Sequence, residues 1–238
     1  MPAAPLEVRG LSAGYGPTRV IEDVSFSVPA GERLAVLGRN GMGKTTLLAS
    51  IAGQTKRYGG EIRLGDNDLT RQGSASRALN GLGFVPQARC VFPTLTVEEN
   101  LFVGLKGRPK SAIREAYDMF PRLEERRRNL GSQLSGGEQQ MLSTARSILG
   151  KPTVLLLDEP LEGLAPVICD ELMAAFARLA QTGDMTIVLV EQRIQSALDF
   201  ADRVIVLERG RIAWSGTPKQ LSDDHDAVEH LLGVGGVH

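Results

Sequence analysis

The chain has 238 residues, of which 42% are hydrophobic and 23% are charged, and its formal net charge is −1. These values are ordinary for a protein that buries a sizeable core, so they exclude wholesale disorder and a fibrous repeat. The near-neutral charge gives no general attraction for nucleic acid; a local basic patch is the alternative, and we expect no nucleic-acid partner.

The apolar runs of the chain are short, such as Val154–Leu157 and Ile187–Val190, whereas a spanning helix needs about 20 apolar residues. The start, MPAAPLEVRG, lacks the basic segment and apolar run of a secretory signal. We therefore predict a cytosolic protein that associates with a membrane only through a partner.

The cysteines and histidines predict neither a disulfide framework nor a structural metal. Cys90 and Cys169 are too few for the framework of a secreted protein, which favours two reduced thiols. Three histidines, His225, His230 and His238, lack zinc-type spacing with either cysteine.

The first third of the chain predicts strands and turns, with one helix after a glycine-rich loop. The predicted strands are Ile21–Val28, Glu32–Leu37, Glu61–Leu64 and Gly83–Val85, and the predicted helix is Lys44–Ala52. The middle, about Val97–Leu149, is rich in helix-forming residues. Its charge run, Glu124–Arg128, predicts a solvated helix face, with a surface for an anionic partner as the alternative.

The last third alternates buried-looking strands with helices, which predicts parallel βαβ units. The strands are Val154–Leu157, Thr186–Val190 and Val204–Leu207, the helix after the first is Pro166–Ala180, and a short strand at Ile212–Ser215 precedes tail helices. The predicted fold is an α/β core with a helical insertion.

The segment Gly38–Thr45, GRNGMGKT, fits the phosphate-binding pattern G-x-x-x-x-G-K-[ST] between a strand and a helix; we call it the phosphate loop. Its backbone amides and the helix N-terminus can bind phosphate oxygens. Lys44 adds a charge for the β- and γ-phosphates, and the Thr45 hydroxyl can bind Mg²⁺. The expected nucleotide-binding residues here are Gly38, Asn40, Gly41, Gly43, Lys44, Thr45 and Thr46, and the pattern by itself predicts only an NTPase.

A second chemical feature is Val154–Glu159, a buried strand that ends in two acids. Ligands of parallel sheets bind at the carboxyl ends of strands, so these acids should face the phosphate loop. We expect Asp158 to hold Mg²⁺ and Glu159 to orient and polarise the attacking water, with Lys44 as a further catalytic group. A plain strand ending in solvated acids is the alternative when this segment is considered alone.

The segment Leu134–Gln140, LSGGEQQ, closely resembles the signature of ABC ATPases; we call it the signature segment. The resemblance implies a P-loop NTPase cassette over residues 1–238. Its α/β core, residues 1–87 and 150–238, would include an antiparallel β subdomain, and residues 88–149 would form a helical subdomain carrying the signature segment. It also implies ATP stacking on Tyr15, and contact of Gln87 with both Mg²⁺ and the attacking water.

The signature segment places Ser135, Gly136 and Gly137 at a helix start, where amides can bind an anion. In the family, two cassettes pair head to tail and each signature covers the γ-phosphate held by the other chain. The resemblance therefore implies a second ABC ATPase subunit as partner, and a switch driven by ATP binding and hydrolysis. Gln87–Pro93 leads into the helical insertion, where a permease would dock on Cys90, Val91 and Phe92; ordinary core packing is the alternative.

Two positions depart from the general family pattern. Gln192 replaces the usual switch histidine, and Ala165 replaces an aspartate before the next helix. Glutamine can donate a hydrogen bond to phosphate but cannot carry the imidazolium charge. The residues at both positions resemble those of the ATP-binding subunits of branched-chain amino-acid, urea and amide importers. The segment Phe84–Leu101 also resembles the sequence of that branch. We expect Gln192 to act as a catalytic residue in a heterodimer whose other cassette supplies the switch histidine, with a homodimer as the alternative.

The branch resemblance implies transmembrane permease subunits, indirect action with a periplasmic or extracellular solute-binding protein, and a peripheral location on the cytoplasmic face of the plasma membrane. One alternative is the ATPase of a lipid or lipopolysaccharide exporter, although those tend to keep the histidine that Gln192 replaces. A non-transport ABC ATPase acting on DNA or ribosomes is disfavoured by chain length and charge.

Overall fold

The computed structural model describes residues 2–233, and within that range ten strands form two sheets. The strands are β1 Leu6–Tyr15, β2 Thr18–Val28, β3 Arg33–Leu37, β4 Lys56–Leu64, β5 Asn67–Asp68, β6 Leu82–Val85, β7 Val154–Asp158, β8 Thr186–Val190, β9 Arg203–Glu208 and β10 Arg211–Gly216. His238 and the outermost predicted cassette bounds, 1 and 238, lie outside the described residues.

The helices surround the sheets. They are α1 Lys44–Ile51, α2 Ser74–Leu79, α3 Val97–Gly104, α4 Arg114–Met119, α5 Pro121–Glu125, α6 Gly136–Leu149, α7 Pro166–Gln181, α8 Ile194–Phe200, α9 Pro218–Asp223 and α10 His225–Ala227. Short 3₁₀ helices lie at Lys110–Ile113 and Gly131–Gln133, and a π-helical turn lies at Val228–Leu232. None of the helices in residues 2–233 is both long and apolar enough to cross a membrane.

The larger sheet has the strand order β10-β9-β3-β8-β7-β6, in which every pairing is parallel except that of β10 with β9. Val190 of β8 is in register with both Val36 of β3 and Asp158 of β7. The carboxyl ends of these three strands therefore meet at one edge of the sheet, where the site lies.

Both faces of the larger sheet are covered, which explains the continuous apolar sequences of β7 and β8. Val154 and Leu156 pack with α1 and the smaller antiparallel sheet, whose order is β2-β1-β4-β5. Leu155 and Leu157 face the opposite way and pack with the helices of the middle segment and with α7. The mixed α/β fold with an antiparallel sheet and a helical insertion is confirmed.

The predicted helical region, residues 88–149, contains α3 to α6. Thr96 and Glu99 form reciprocal side-chain-to-backbone hydrogen bonds that cap α3. The charge run departs from the prediction: α5 ends at Glu125, and Arg126–Arg128 lie in a turn. The Arg127 carbonyl accepts a hydrogen bond from the Glu98 amide at 3.1 Å, so the chain turns back toward α3 instead of continuing the helix.

Candidate nucleotide-binding site

The phosphate loop joins the end of β3 to the start of α1. Gly38 and Gly43 have φ values of 144° and 100°, which side-chain-bearing residues rarely adopt. A Cβ on Gly38 would lie 2.4 Å from the Leu207 carbonyl oxygen. Gly43 caps α1 without a side-chain hydrogen bond, so the first amides of the helix are left for an anion.

Lys44 is held in the middle of the site, and its side chain is 4% exposed. Its Nζ donates hydrogen bonds to the carbonyl oxygens of Gly38 at 2.8 Å and Arg39 at 3.2 Å. It also lies 3.6 Å from Oε1 of Glu159. Phosphate oxygens that bind Lys44 would have to replace these partners, since an ammonium group has only three donors.

Asp158, at the end of β7, is buried and reaches the phosphate loop. Its Oδ1 accepts a hydrogen bond from Thr45 Oγ1 at 3.1 Å, whereas its buried Oδ2 has no partner. Burial raises the pKa of Asp158 to about 6, and the nearby charge of Glu159 also raises it. A hydroxyl and a carboxylate with an unpartnered oxygen form the hard oxygen set that Mg²⁺ prefers, so these residues fit the ion.

Glu159 occupies the sharp turn after β7 and has a φ of 46°. This left-handed conformation is uncommon for a residue with a side chain and is found at functional sites. Its amide donates to the Val190 carbonyl at 2.9 Å. Its Oε2 accepts from Gln192 Nε2 at 2.5 Å and from Gln87 Nε2 at 3.3 Å. Three separate segments thus meet at one carboxylate.

Most of the predicted site residues line one cavity of about 310 Å³. It is lined by Val20, Asn40, Gly41, Gly43, Lys44, Thr45, Thr46, Gln87, Glu159, Glu162 and Gln192. Gly38 lines a neighbouring cavity of about 250 Å³ that shares Asn40 and Gln192 with the first. Asp158 reaches the first cavity through its bond to Thr45.

Four predicted nucleotide-binding residues, Tyr15, Ser135, Gly136 and Gly137, line neither of these two cavities. Tyr15 ends β1 next to the turn into β2, and 52% of its side chain is exposed. Ser135, Gly136 and Gly137 begin α6 elsewhere on the same chain, where Ser135 and Glu138 form a reciprocal capping pair. The Arg89 guanidinium lies against Gly136, where a Cβ would be 2.4 Å from its Nη1.

The segment expected to meet a permease is partly accessible. Cys90 is exposed, and the ring of Phe92 is 44% exposed and packs under the Arg146 guanidinium at 4.9 Å. Val91, in contrast, is partly buried against the core of the helical region. Ala165 precedes α7 and leaves that helix without a side-chain cap.

Three residues at the site were not singled out from the sequence. Glu162 Oε2 accepts from Gln87 Nε2 at 2.7 Å, and Val20 lines the cavity from β2. Glu191 is 2% exposed and lines the 250 Å³ cavity next to Gln192. The sequence signals were present for the acids, since Glu162 follows the acid pair closely and Glu191 directly follows an apolar strand. Val20 carries no such signal.

The sequence profile of the ABC transporter family matches residues 21–162. The chain is 38% identical to BraG, a high-affinity branched-chain amino acid transport ATP-binding protein of Pseudomonas aeruginosa, over 94% of this chain and 97% of BraG. It is 36% identical to LivF of Archaeoglobus fulgidus, a probable branched-chain amino acid transport ATP-binding protein, over 93% of this chain and 95% of LivF.

A third relative has a different role. The lipopolysaccharide export system ATP-binding protein LptB of Escherichia coli is 30% identical over 97% of this chain and 98% of LptB. Among solved structures, a nucleotide-free ATP-binding cassette from an ABC transporter matches with a TM-score of 0.84 and 22% identity. That match covers 98% of this chain and 99% of the cassette, and it concerns the fold alone.

Proposed function

The chain belongs to the ABC transporter family and is an ATPase, and from that membership we propose that it powers an importer of branched-chain amino acids or related small polar solutes. The likeness to BraG and LivF over almost the whole chain supports this substrate class. The presence of glutamine at position 192, as expected for that branch, also supports it.

The assignment of residue roles depends chiefly on one observation: Lys44, Thr45, Asp158, Glu159 and Gln192 are linked by short contacts around the 310 Å³ cavity. We propose that the phosphate loop and Lys44 bind the ATP phosphates, and that Thr45, Asp158 and Gln87 hold Mg²⁺. The ion would neutralise charge on the transferring phosphoryl group.

In this scheme Glu159 orients and polarises the attacking water, and Gln192 donates a hydrogen bond that fixes the carboxylate. The Glu159 carboxylate and the ATP phosphates compete for Lys44. When phosphate binds Lys44, the carboxylate of Glu159 is released and can bind the attacking water. Tyr15 would stack on the adenine ring, for which its exposed side chain is accessible.

We also propose that the site is completed by a second cassette. Ser135, Gly136 and Gly137 do not line the cavity of their own chain, so a nucleotide that they cover would be held by another chain. The partner would be a second ATPase subunit that supplies the switch histidine. The cassette core, residues 1–87 and 150–238, would carry the nucleotide, and residues 88–149 would face permease subunits on the cytoplasmic side of the membrane.

Lipid or lipopolysaccharide export is the second candidate, since LptB is 30% identical over a similar share of the chain. Lower identity and the glutamine at position 192 make it the weaker candidate.

An uptake assay separates import from export. It measures radiolabelled leucine, valine and urea in a strain that lacks this chain and is complemented by wild type or by Glu159→Gln. We expect wild type alone to restore uptake of one of these solutes. Normal uptake in the deletion strain, with lipid retained at the inner membrane, would support export.

A further inference from the structure

Glu191 is a buried carboxylate to which the mechanism above gives no role. It follows β8 directly, is 2% exposed, and has no salt-bridge partner among residues 2–233. A buried charge without a counter-ion is costly unless hydrogen bonds satisfy it. Its position therefore calls for a structural or functional reason.

The carboxylate of Glu191 is satisfied by backbone amides of two different loops. Oε1 accepts from the Leu161 amide at 3.0 Å. Oε2 accepts from the amides of Gln192 at 3.1 Å and Arg193 at 3.4 Å. Only a carboxylate offers acceptors on both branches and no donor, so this side chain suits three N–H groups better than an amide or a hydroxyl does.

These two loops are the ones that carry the proposed catalytic pair. Leu161 lies two residues after Glu159, and Gln192 follows Glu191 directly. The Glu159 amide is bonded to the carbonyl of Val190, and Glu159 Oε2 is bonded to Gln192 Nε2. Glu191 therefore closes a ring of contacts that begins and ends at Glu159.

We infer that Glu191 is a positioning residue, which ties the loop after Glu159 to the loop bearing Gln192 and so sets the hydrogen bond between these two side chains. This inference rests on the proposed roles of Glu159 and Gln192. Glu191 lines the 250 Å³ cavity beside Gly38 and Asn40, but both of its carboxylate oxygens accept from backbone amides, so we assign it a positioning role and not a nucleotide contact.

The test is a double-mutant cycle on the ATPase complex, with ATP affinity of the chain measured separately by fluorescent nucleotide titration. Glu191→Gln replaces one oxygen by an NH₂ group that faces a backbone donor, so one loop loses its bond. We expect kcat to fall about tenfold, with KM and ATP affinity within about twofold. In the Gln192→Ala background the same substitution should change kcat by less than about twofold, because its effect acts through Gln192.

Glu32→Gln is the matched control. Glu32 is a mostly buried carboxylate at the start of β3, paired with Arg203 at 2.8 Å at the opposite end of the sheet, and burial raises its pKa as it does that of Glu191. We expect wild-type kcat from it. Glu191→Asp, which keeps the charge but is too short to reach both loops, serves if Glu191→Gln does not fold; it should show the same loss of kcat and the same coupling.

Equal losses from Glu191→Gln in both backgrounds would overturn the inference, as would loss of folding or of ATP affinity in both variants. Glu159→Gln, assayed in parallel, separates this failure from failure of the site assignment. If Glu159→Gln retained activity, the assigned roles would be wrong. If Glu159→Gln were inactive while the double-mutant cycle showed no coupling, only the role inferred for Glu191 would be wrong.

Discussion

The side-chain nitrogen Nε2 of Gln192 lies 2.5 Å from Oε2 of Glu159. This contact crosses between the ends of β7 and β8, which the register of Asp158 with Val190 brings side by side. The side-chain amide of Gln192 does not ionise, so it donates this hydrogen bond as a neutral group. An imidazole in the same place would change its charge near pH 6.5. The contact connects the fold to the chemistry proposed for the site.

Substitution of Gln192 tests that contact. In Gln192→Ala, Glu159 loses a hydrogen bond to a charged group, and we expect kcat for ATP to fall about tenfold with little change in KM. Gln195→Ala is the control, because Gln195 is exposed on α8 and bonds only Asp199 among its side-chain partners in residues 2–233. Equal losses in both variants would contradict a special role for Gln192.

The proposed role of Glu159 predicts a separation of binding from hydrolysis. Glu159→Gln should lower kcat by about 10² or more while ATP still binds, since the amide cannot polarise water. ATP-dependent association with the partner cassette should persist and be detectable by size-exclusion chromatography. Glu162→Gln alters a second acid of the same loop and should cost less than about fivefold. Loss of ATP binding in Glu159→Gln would mean that Glu159 is a binding residue.

Asp158 should make stability depend on pH. Its pKa is about 6 in the folded protein and ordinarily 3.8, so the folded state holds the proton more tightly. Stability from this group is therefore present below about pH 4 and is lost as pH rises to about 6, by of order 2–3 kcal/mol. Asp158→Asn keeps the acceptor for Thr45 but removes the charge. Urea unfolding without nucleotide should show the variant gaining on wild type between pH 4 and pH 7.5.

Asp202→Asn gives the opposite sign as a control. Hydrogen bonds from Arg33 lower the pKa of Asp202, so its contribution is present above its ordinary pKa and is lost as pH falls. The variant should therefore lose most relative to wild type at neutral pH. If both substitutions gave the same slope with pH, the burial argument for Asp158 would be wrong.

Parts of the fold follow directly from sequence pattern. The predicted bounds of β8 match those observed, because a strand buried on both faces is a continuous apolar run. The strand β1 was not predicted, because glycines interrupt its pattern and its pairing shifts register near Gly10, whose φ is 56°. The six-residue helix α2 is too short to show a period.

In the candidate site, too, some features could be predicted from sequence pattern and others could not. The phosphate loop is a local pattern, so its residues could be picked out along the chain, and Asn40, Gly41, Gly43, Lys44 and Thr45 line one cavity. The contacts of Glu162 with Gln87 and of Glu191 with Leu161 join segments 75 and 30 residues apart. Such pairings depend on strand register and loop path, which one sequence does not specify.

The central claim is that this cavity binds ATP with Mg²⁺ through Lys44, and isothermal titration calorimetry of Mg·ATP into the folded protein measures it directly. Wild type should bind with one site per chain. Lys44→Ala should bind at least about tenfold more weakly, because the loop loses its charge-assisted phosphate contact. Absence of heat from wild type, alone and with its companion subunits, or equal affinity in Lys44→Ala, would contradict the account.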